Sequence, residues 1–328
     1  MSSPGKAARC HTAATLPPPH GYLSPRDWAP GTTPGTDAMA KLTCRSAFIS
    51  DVHLGTPDCK AAYLLDFLRQ VDCERLYLVG DIVDLEALGR RHWWHPDHSA
   101  VIAELFAIAA RGVEVIYIPG NHDFSMRGLA GTTLAGIRVE LDAIHEGADG
   151  RRYRVSHGDE FDPEHVGRRW IAWLGDTLHR FICWANRRVH AVRLRLELPY
   201  LPLSIILKSH VGAALEYIRG YEKRVADDAR ERGLDGHICG HIHFGHIRPM
   251  DGILYLNDGD WVEHCTALVE DFTGAMELIH WTERVTPLGR ASRETVLPSP
   301  EAVLGFAPLA DCRADLSALR GAGMSIAG

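Results

Sequence analysis

The chain has 328 residues, 46% of them hydrophobic, and carries 42 Asp and Glu against 35 Lys and Arg for a formal net charge of −7. That length supplies a substantial core in at most two domains, and the acidic balance argues against general nucleic-acid binding. There is no 18-residue apolar run to span a bilayer and no apolar core of a signal peptide at the N-terminus, while eight cysteines without framework spacing predict free thiols in a reducing cytoplasm.

Residues 1–40 hold seven prolines and almost no apolar periodicity, which predicts a disordered tail. Met39, just before the first strand, is an expected start. Strands and helices then alternate in a βαβ rhythm, the sign of an α/β fold with a mainly parallel sheet. Ala47-Phe48-Ile49-Ser50 reads as a buried strand and leads into Asp51-Val52-His53. Ala61 to Gln70 is an amphipathic helix. Leu76-Tyr77-Leu78-Val79 is the next strand, ending in Gly80-Asp81. Arg90, Arg91, Trp93 and Trp94 follow as a patch with two readings. The tryptophans either anchor a core or form a platform that stacks a base or sugar, with the arginines on phosphate. Val101 to Arg111 is a helix that returns to the strand run Val113 to Gly120, which delivers Gly120-Asn121-His122-Asp123.

The fourth polar motif is Ser156-His157-Gly158-Asp159. After it comes an interruption at 163–232. There Trp170, Ile171, Trp173 and Leu174 recur at helical spacing, Phe181, Ile182 and Trp184 follow, and Ala213 to Arg232 forms a long charged helix. Residues 163–209 carry eight Arg and Lys against three Asp and Glu. One reading is a helical pair packed on the body, its arginines solvated. The other is a helical cap that offers apolar surface to acyl chains, and Arg187, Arg188, Arg193 and Arg195 to phosphates or an anionic membrane surface. Gly236 to Gly240 then leads to the last motif, Gly240-His241-Ile242-His243. From Gly252 onward short strands (Ile253 to Leu256, Cys265 to Val269, Met276 to Trp281) are expected to make the second sheet of a sandwich. The main domain is thus expected over 41–285, and 286–328 as a weakly ordered tail.

Asp51, His53, Asp81, Asn121, His157, His241 and His243 form a set of two carboxylates, one amide oxygen and four imidazoles. Oxygen and imidazole donors without thiolate suit manganese first, with iron, zinc or cobalt as alternatives. Seven ligands exceed one ion but suit two divalent ions if a carboxylate bridges, an arrangement that clamps both oxygens of a phosphoryl displacement. Asp81 is the expected bridge, because Gly80 lets the backbone approach closely. An extended backbone through 241–243 would aim both histidines the same way, one at each ion. His122 is left as the proton donor to the leaving oxygen, with Asp123 expected to orient its ring. His11, His20, His145, His190, His210 and His280 read as surface or core residues, and Cys239 as a small buried strand residue.

These five motifs resemble those of the calcineurin-like metallophosphoesterases, with their D-x-H, G-D-x-x-D, G-N-H-D, H-G-D and G-H-x-H signatures, over roughly residues 44–282. The resemblance implies a four-layered α/β/β/α sandwich, a bridged dimetal centre and a metal-bound hydroxide attacking phosphorus. It places Asp51, His53, Asp81 and His243 on one ion and Asp81, Asn121, His157 and His241 on the other. Ser-Asp-Val-His-Leu-Gly, Gly-Asn-His-Asp-Phe and Ser-His-Gly-Asp-Glu-Phe-Asp look most like the UDP-2,3-diacylglucosamine pyrophosphatase branch, which carries arginine in place of His122. That implies a lipid-linked phosphoester substrate and a peripheral contact with the cytoplasmic face of the inner membrane. The alternatives are an esterase of soluble nucleotides or small phosphoesters, and a non-catalytic protein-binding scaffold.

Overall fold

The computed structural model describes residues 41–162, 212–282 and 285–291. Strand β1 (Leu42–Ile49) is followed by helix α1 (Ala61–Gln70), β2 (Val71–Val79), α2 (Leu85–Arg90), α3 (Pro96–Ala110) and β3 (Glu114–Ile118). Short strands β4 (Thr133–Leu134), β5 (Ile137–Val139), β6 (Ala143–Glu146) and β7 (Arg152–Val155) come next. Helix α4 (Gly212–Glu231) leads to β8 (Gly236–Cys239), β9 (His246–Met250), β10 (Ile253–Asn257), β11 (Thr266–Glu270), β12 (Met276–Trp281) and β13 (Val285–Ala291).

Two mixed sheets result. The first runs β13-β12-β11-β1-β2-β3-β5-β4, with β1, β2, β3 and β5 parallel; the second runs β6-β7-β8-β10-β9, with β7, β8 and β10 parallel. Both faces of the central strands are covered, which is why they read as continuous apolar runs rather than alternating ones. Phe48, Tyr77, Ile116 and Ile118 meet Tyr153, Val155, Ile238 and Leu256 between the sheets. On the outer face of the first sheet Ile49, Leu76, Leu78 and Val115 pack with Leu64, Phe67, Leu68, Val101 and Leu105 of α1 and α3. Beyond the second sheet, Tyr221, Val225, Ala226 and Ala229 of α4 cover Cys239, Tyr255 and Ile253. The order of layers is α/β/β/α.

Three expectations change. Thr266–Glu270 and Met276–Trp281 belong to the first sheet, not the second, because β11 pairs antiparallel with β1 and β12 with β11. β11 is buried along its whole length, so its pattern carries no signal for which sheet it joins, and β12 follows it as a hairpin partner. Residues 286–291, expected at the start of a weakly ordered tail, belong to β13 (Val285–Ala291) on the edge beside β12. The last stretch of the 163–232 interruption is α4, whose buried face makes it a layer of the body; 163–211 lie outside the described residues, as do 1–40. Among the described residues no helix is long and apolar enough to cross a membrane.

Candidate metal centre

Strands β1, β2 and β3 run parallel and end at one edge of the first sheet, while β7 and β8 end at an edge of the second. The polar motifs stand on the loops just beyond these C-terminal ends, where open α/β sheets place their ligands. The loops after β1 and β2 are tied together: the Asp51 N–H donates to the Gly80 carbonyl at 3.0 Å, and the His53 N–H to the Asp81 carbonyl at 2.9 Å. Asp51, His53, Asp81, His241 and His243 all take left-handed φ, between 49° and 70°. Such backbone costs of order 1–3 kcal/mol per residue and persists only where its surroundings over-determine it. It also corrects the expected extended path through 241–243: each histidine is aimed by its own turn.

The side chains then converge. Asp51 Oδ2 accepts from the Ser50 hydroxyl at 2.5 Å and from the His241 N–H at 2.8 Å. Asp51 Oδ1 is buried and makes no hydrogen bond, with His243 Nε2 3.2 Å away and His53 Nε2 3.9 Å away. Asp81 Oδ1 accepts from the His122 N–H at 2.8 Å, and its Oδ2 lies 3.3 Å from His157 Nε2 and 3.8 Å from His53 Nε2. Tautomers follow from the outer partners. His53 Nδ1 donates to Asp84 Oδ2 at 3.1 Å and His157 Nδ1 to the Val79 carbonyl at 2.9 Å. Both rings therefore turn Nε2 inward, His53 toward His243 Nε2 at 3.3 Å and His157 toward Asn121 Oδ1 at 3.2 Å.

Imidazole nitrogens and carboxylate and amide oxygens crowded against one another, beside a buried carboxylate oxygen with no hydrogen bond, fit divalent cations. Each predicted ligand except Asn121 and His241 belongs to one of three clusters whose ligand atoms lie within 4.8 Å of one another: Asp51, His53 and His243; His53, Asp81 and His122; Asp51, Asp81 and His157. The glycines make room for this. A Cβ on Gly80 would overlap the His157 ring, one on Gly120 would meet Asp81 Oδ1, and one on Gly240 would meet Ser50 Oγ and Asp51 Oδ2. Burial opposes the charge on Asp81, yet the His157 and His53 rings hold its carboxyl far below the usual range. His241 stands apart, its Nε2 2.8 Å from Asp162 Oδ2.

The proton-donor assignment changes in one part. Asp123 does not touch the His122 ring; it accepts from the Ile82 N–H at 2.9 Å, the Tyr117 hydroxyl at 2.5 Å and the Gly120 N–H at 2.5 Å, which fixes the β2 and β3 loops instead. The carboxylate at the ring is Asp84, whose Oδ2 lies 3.1 Å from His122 Nδ1 as well as from His53 Nδ1. Asp84 Oδ1 caps α2 by accepting from the Ala87 N–H at 2.7 Å. Burial works against ionisation of Asp84, but the nearby His122 and His53 rings hold it low; for His122, burial lowers and the adjacent Asp84 carboxyl raises, with a net rise. The sequence signal for Asp84 was its place three residues after Asp81, at the start of a helix. Ser50, bridged at 2.5 Å to both Asp51 Oδ2 and Asp258 Oδ1, was legible only from the structure.

Of the substrate-binding candidates, Arg90 is exposed and paired with Glu86, and Arg91 is exposed. Trp93 and Trp94 set their rings edge-on to buried His98, each 5.2 Å between centroids, and Trp94 Nε1 donates to Ser99 Oγ at 2.8 Å. Arg187, Arg188, Arg193 and Arg195 lie outside the described residues.

Comparison with known proteins matches residues 44–245 to the family model described as "Calcineurin-like phosphoesterase". A UDP-2,3-diacylglucosamine hydrolase of Neisseria meningitidis serogroup B is 26% identical over 256 residues, covering 70% of this chain and 95% of the relative. One from Aeromonas salmonicida is 30% identical over 243 residues, covering 68% of this chain and 88% of the relative. Among solved structures, a phosphoesterase from E. coli superposes with a TM-score of 0.40 at 15% identity, over 75% of this chain and 97% of the other.

Proposed function

The chain belongs to the calcineurin-like phosphoesterase family and is a phosphoester hydrolase, and from that premise we propose that it works through two divalent ions on the pyrophosphate of a nucleotide-sugar lipid of the UDP-2,3-diacylglucosamine class. The observation that carries the reading is the convergence of Asp51, His53, Asp81, His157 and His243 from the ends of two sheets, with the ligand atoms of each cluster within 4.8 Å of one another and a buried carboxylate oxygen that makes no hydrogen bond. Asp81, with one oxygen between His53 and His157, would be shared by the two ions. Asp51, His53 and His243 would complete one ion's set, and Asn121, His157 and His241 the other's. When bound, the ions supply positive charge to the phosphoryl oxygens and an activated water at neutral pH. His122, with Asp84 3.1 Å from its Nδ1, holds a proton beside the cluster and gives it to the departing oxygen. The relatives' names support the lipid-linked substrate.

The test is hydrolysis of UDP-2,3-diacylglucosamine and of bis-p-nitrophenyl phosphate by protein stripped of metal and reloaded with Mn²⁺. The reading expects metal-dependent turnover with a strong preference for the diacylated compound over its deacylated form. Equal turnover of the two would move the substrate to soluble nucleotides. No turnover on any phosphoester under full metal loading would favour a binding scaffold.

A further inference from the structure

His241 differs from the other ligand histidines in which ring nitrogen its outer partner takes. Its Nε2 lies 2.8 Å from Asp162 Oδ2, whereas the outer partners of His53 and His157 take Nδ1. His241 is held at its backbone and on its ring. Its backbone N–H is bound to Asp51 Oδ2 at 2.8 Å, the ring meets His157 edge-on at 5.2 Å between centroids, and it lies against Tyr221 at 6.1 Å.

Asp162 is held in turn. Its Oδ1 accepts from the Tyr217 hydroxyl. Tyr221 donates to the Gly158 carbonyl at 3.1 Å, and Arg224 Nε to the Phe161 carbonyl at 2.7 Å. Residues 217, 221 and 224 follow one face of α4 at helical spacing. Three residues on successive turns of that helix therefore fix the 158–162 segment, which follows His157 and carries Asp162. The Asp162 side chain is 44% exposed, so it is not a core residue whose loss should unfold the chain.

An ionised carboxylate only accepts, so the proton in the Asp162–His241 contact sits on Nε2, and a neutral imidazole protonated there has its lone pair on Nδ1. We infer that Asp162 is a positioning residue that commits His241 to bind the second ion through Nδ1, with Tyr217 orienting the Asp162 carboxylate. The inference deepens the two-ion reading and rests on it. It makes the outer partner the selector of the donor atom: Val79 and Asp84 select Nε2, Asp162 selects Nδ1.

The test uses full-length protein labelled with [¹⁵N]histidine, with the His241 signals assigned by comparison with His241→Gln, and calorimetric titration with Zn²⁺. Metal-free wild type is expected to show His241 as the Nε2–H tautomer. Asp162→Ala should lose that bias and weaken the weaker Zn²⁺ by about 10–100-fold, the usual effect of removing an outer partner, with the tighter ion nearly unchanged. Asp162→Asn keeps an oxygen acceptor and should recover most of the loss; Tyr217→Phe should shift the weaker ion in the same direction by less. A His241 proton on Nδ1 in wild type, or an Asp162→Ala protein that binds both ions as wild type does, overturns the assignment. Should wild type hold fewer than two Zn²⁺ at saturation, the two-ion reading fails, while the tautomer of the metal-free protein still decides the role of Asp162. Matching thermal unfolding of metal-free Asp162→Ala and wild type separates positioning from loss of fold.

Discussion

Asp84 concentrates three tasks in one carboxyl group: it caps α2, fixes the His53 ring and holds the His122 ring, all from a site with 7% side-chain exposure. Replacing it with Ala should therefore injure two separable properties. Affinity for the ion on His53 should fall about 10–100-fold, the usual effect of losing an outer partner, and the proton-donor step should fail as in His122→Ala. His122→Ala itself should keep both ions and lose about 10²–10⁴-fold in rate, the typical contribution of general acid catalysis. That loss should shrink for p-nitrophenyl esters, whose leaving group needs no proton, because His122 would then have nothing to donate. Equal losses on good and poor leaving groups would assign His122 to phosphate binding instead. The residues that meet at the strand ends are legible in sequence because a ligating side chain after an apolar run and a glycine is a short local word. Asp84 is legible only as the last residue of G-D-x-x-D; its role is not, because it acts through His53 and His122. Asp123 was the natural candidate by adjacency to His122, but adjacent residues on a loop point apart, and its oxygens go to Ile82, Tyr117 and Gly120.

Among the elements, β11 shows where sequence runs out. Its five residues are all buried, so its pattern records only that both faces are covered. The information that sets it beside β1 is long-range, and part of it lies in Glu270. From the first sheet this fully buried carboxylate receives Arg45 Nη1 at 2.9 and 3.0 Å, His145 Nε2 of β6 at 3.0 Å and the Ala148 N–H at 2.7 Å. It fastens the β6–β7 hairpin of the second sheet to the first. Breaking a buried ion pair by removing one partner costs about 3–5 kcal/mol, and Glu270→Gln, which keeps the shape, should sit near the lower end. The pH dependence has a definite sign. Burial opposes the charge, but the His145 bond and charge leave the folded pKa below the ordinary value. The stabilisation is thus fully present above the unfolded glutamate pKa of about 4.3 and fades as pH falls through the lowered folded value. Urea unfolding of wild type and Glu270→Gln from pH 7 to 3 should show the gap narrowing on acidification. A gap that stays constant would mean the carboxylate charge is not what holds the sheets. The α/β class, the parallel centre of the first sheet and helices α1 and α3 are, by contrast, local patterns. They were readable because each needs only its own periodicity and a turn residue.

At the scale of the molecule, the candidate ligands divide between the layers: Asp51, His53, Asp81 and Asn121 follow strands of the first sheet, His157, His241 and His243 strands of the second. Ions held there bind the two sheets to each other, and the unfolded chain offers no such site. Metal should then stabilise the fold by mass action, by about 2.7 kcal/mol for each site at one hundred times its dissociation constant. Two sites give about 5 kcal/mol, which for a domain of this size raises the unfolding temperature by roughly 10 °C or more. The midpoint of chelated protein should climb with added Mn²⁺ in two concentration ranges if the affinities differ. Asp81→Ala, which removes the oxygen shared between the sets, should flatten the response, whereas Glu270→Gln should lower the midpoint of both forms and leave the metal-induced rise intact. The contrast separates ions that join the sheets at the strand ends from contacts that join them elsewhere. A wild-type midpoint indifferent to saturating Mn²⁺, or an Asp81→Ala midpoint that rises as far as wild type, would show that no ion bridges the layers there.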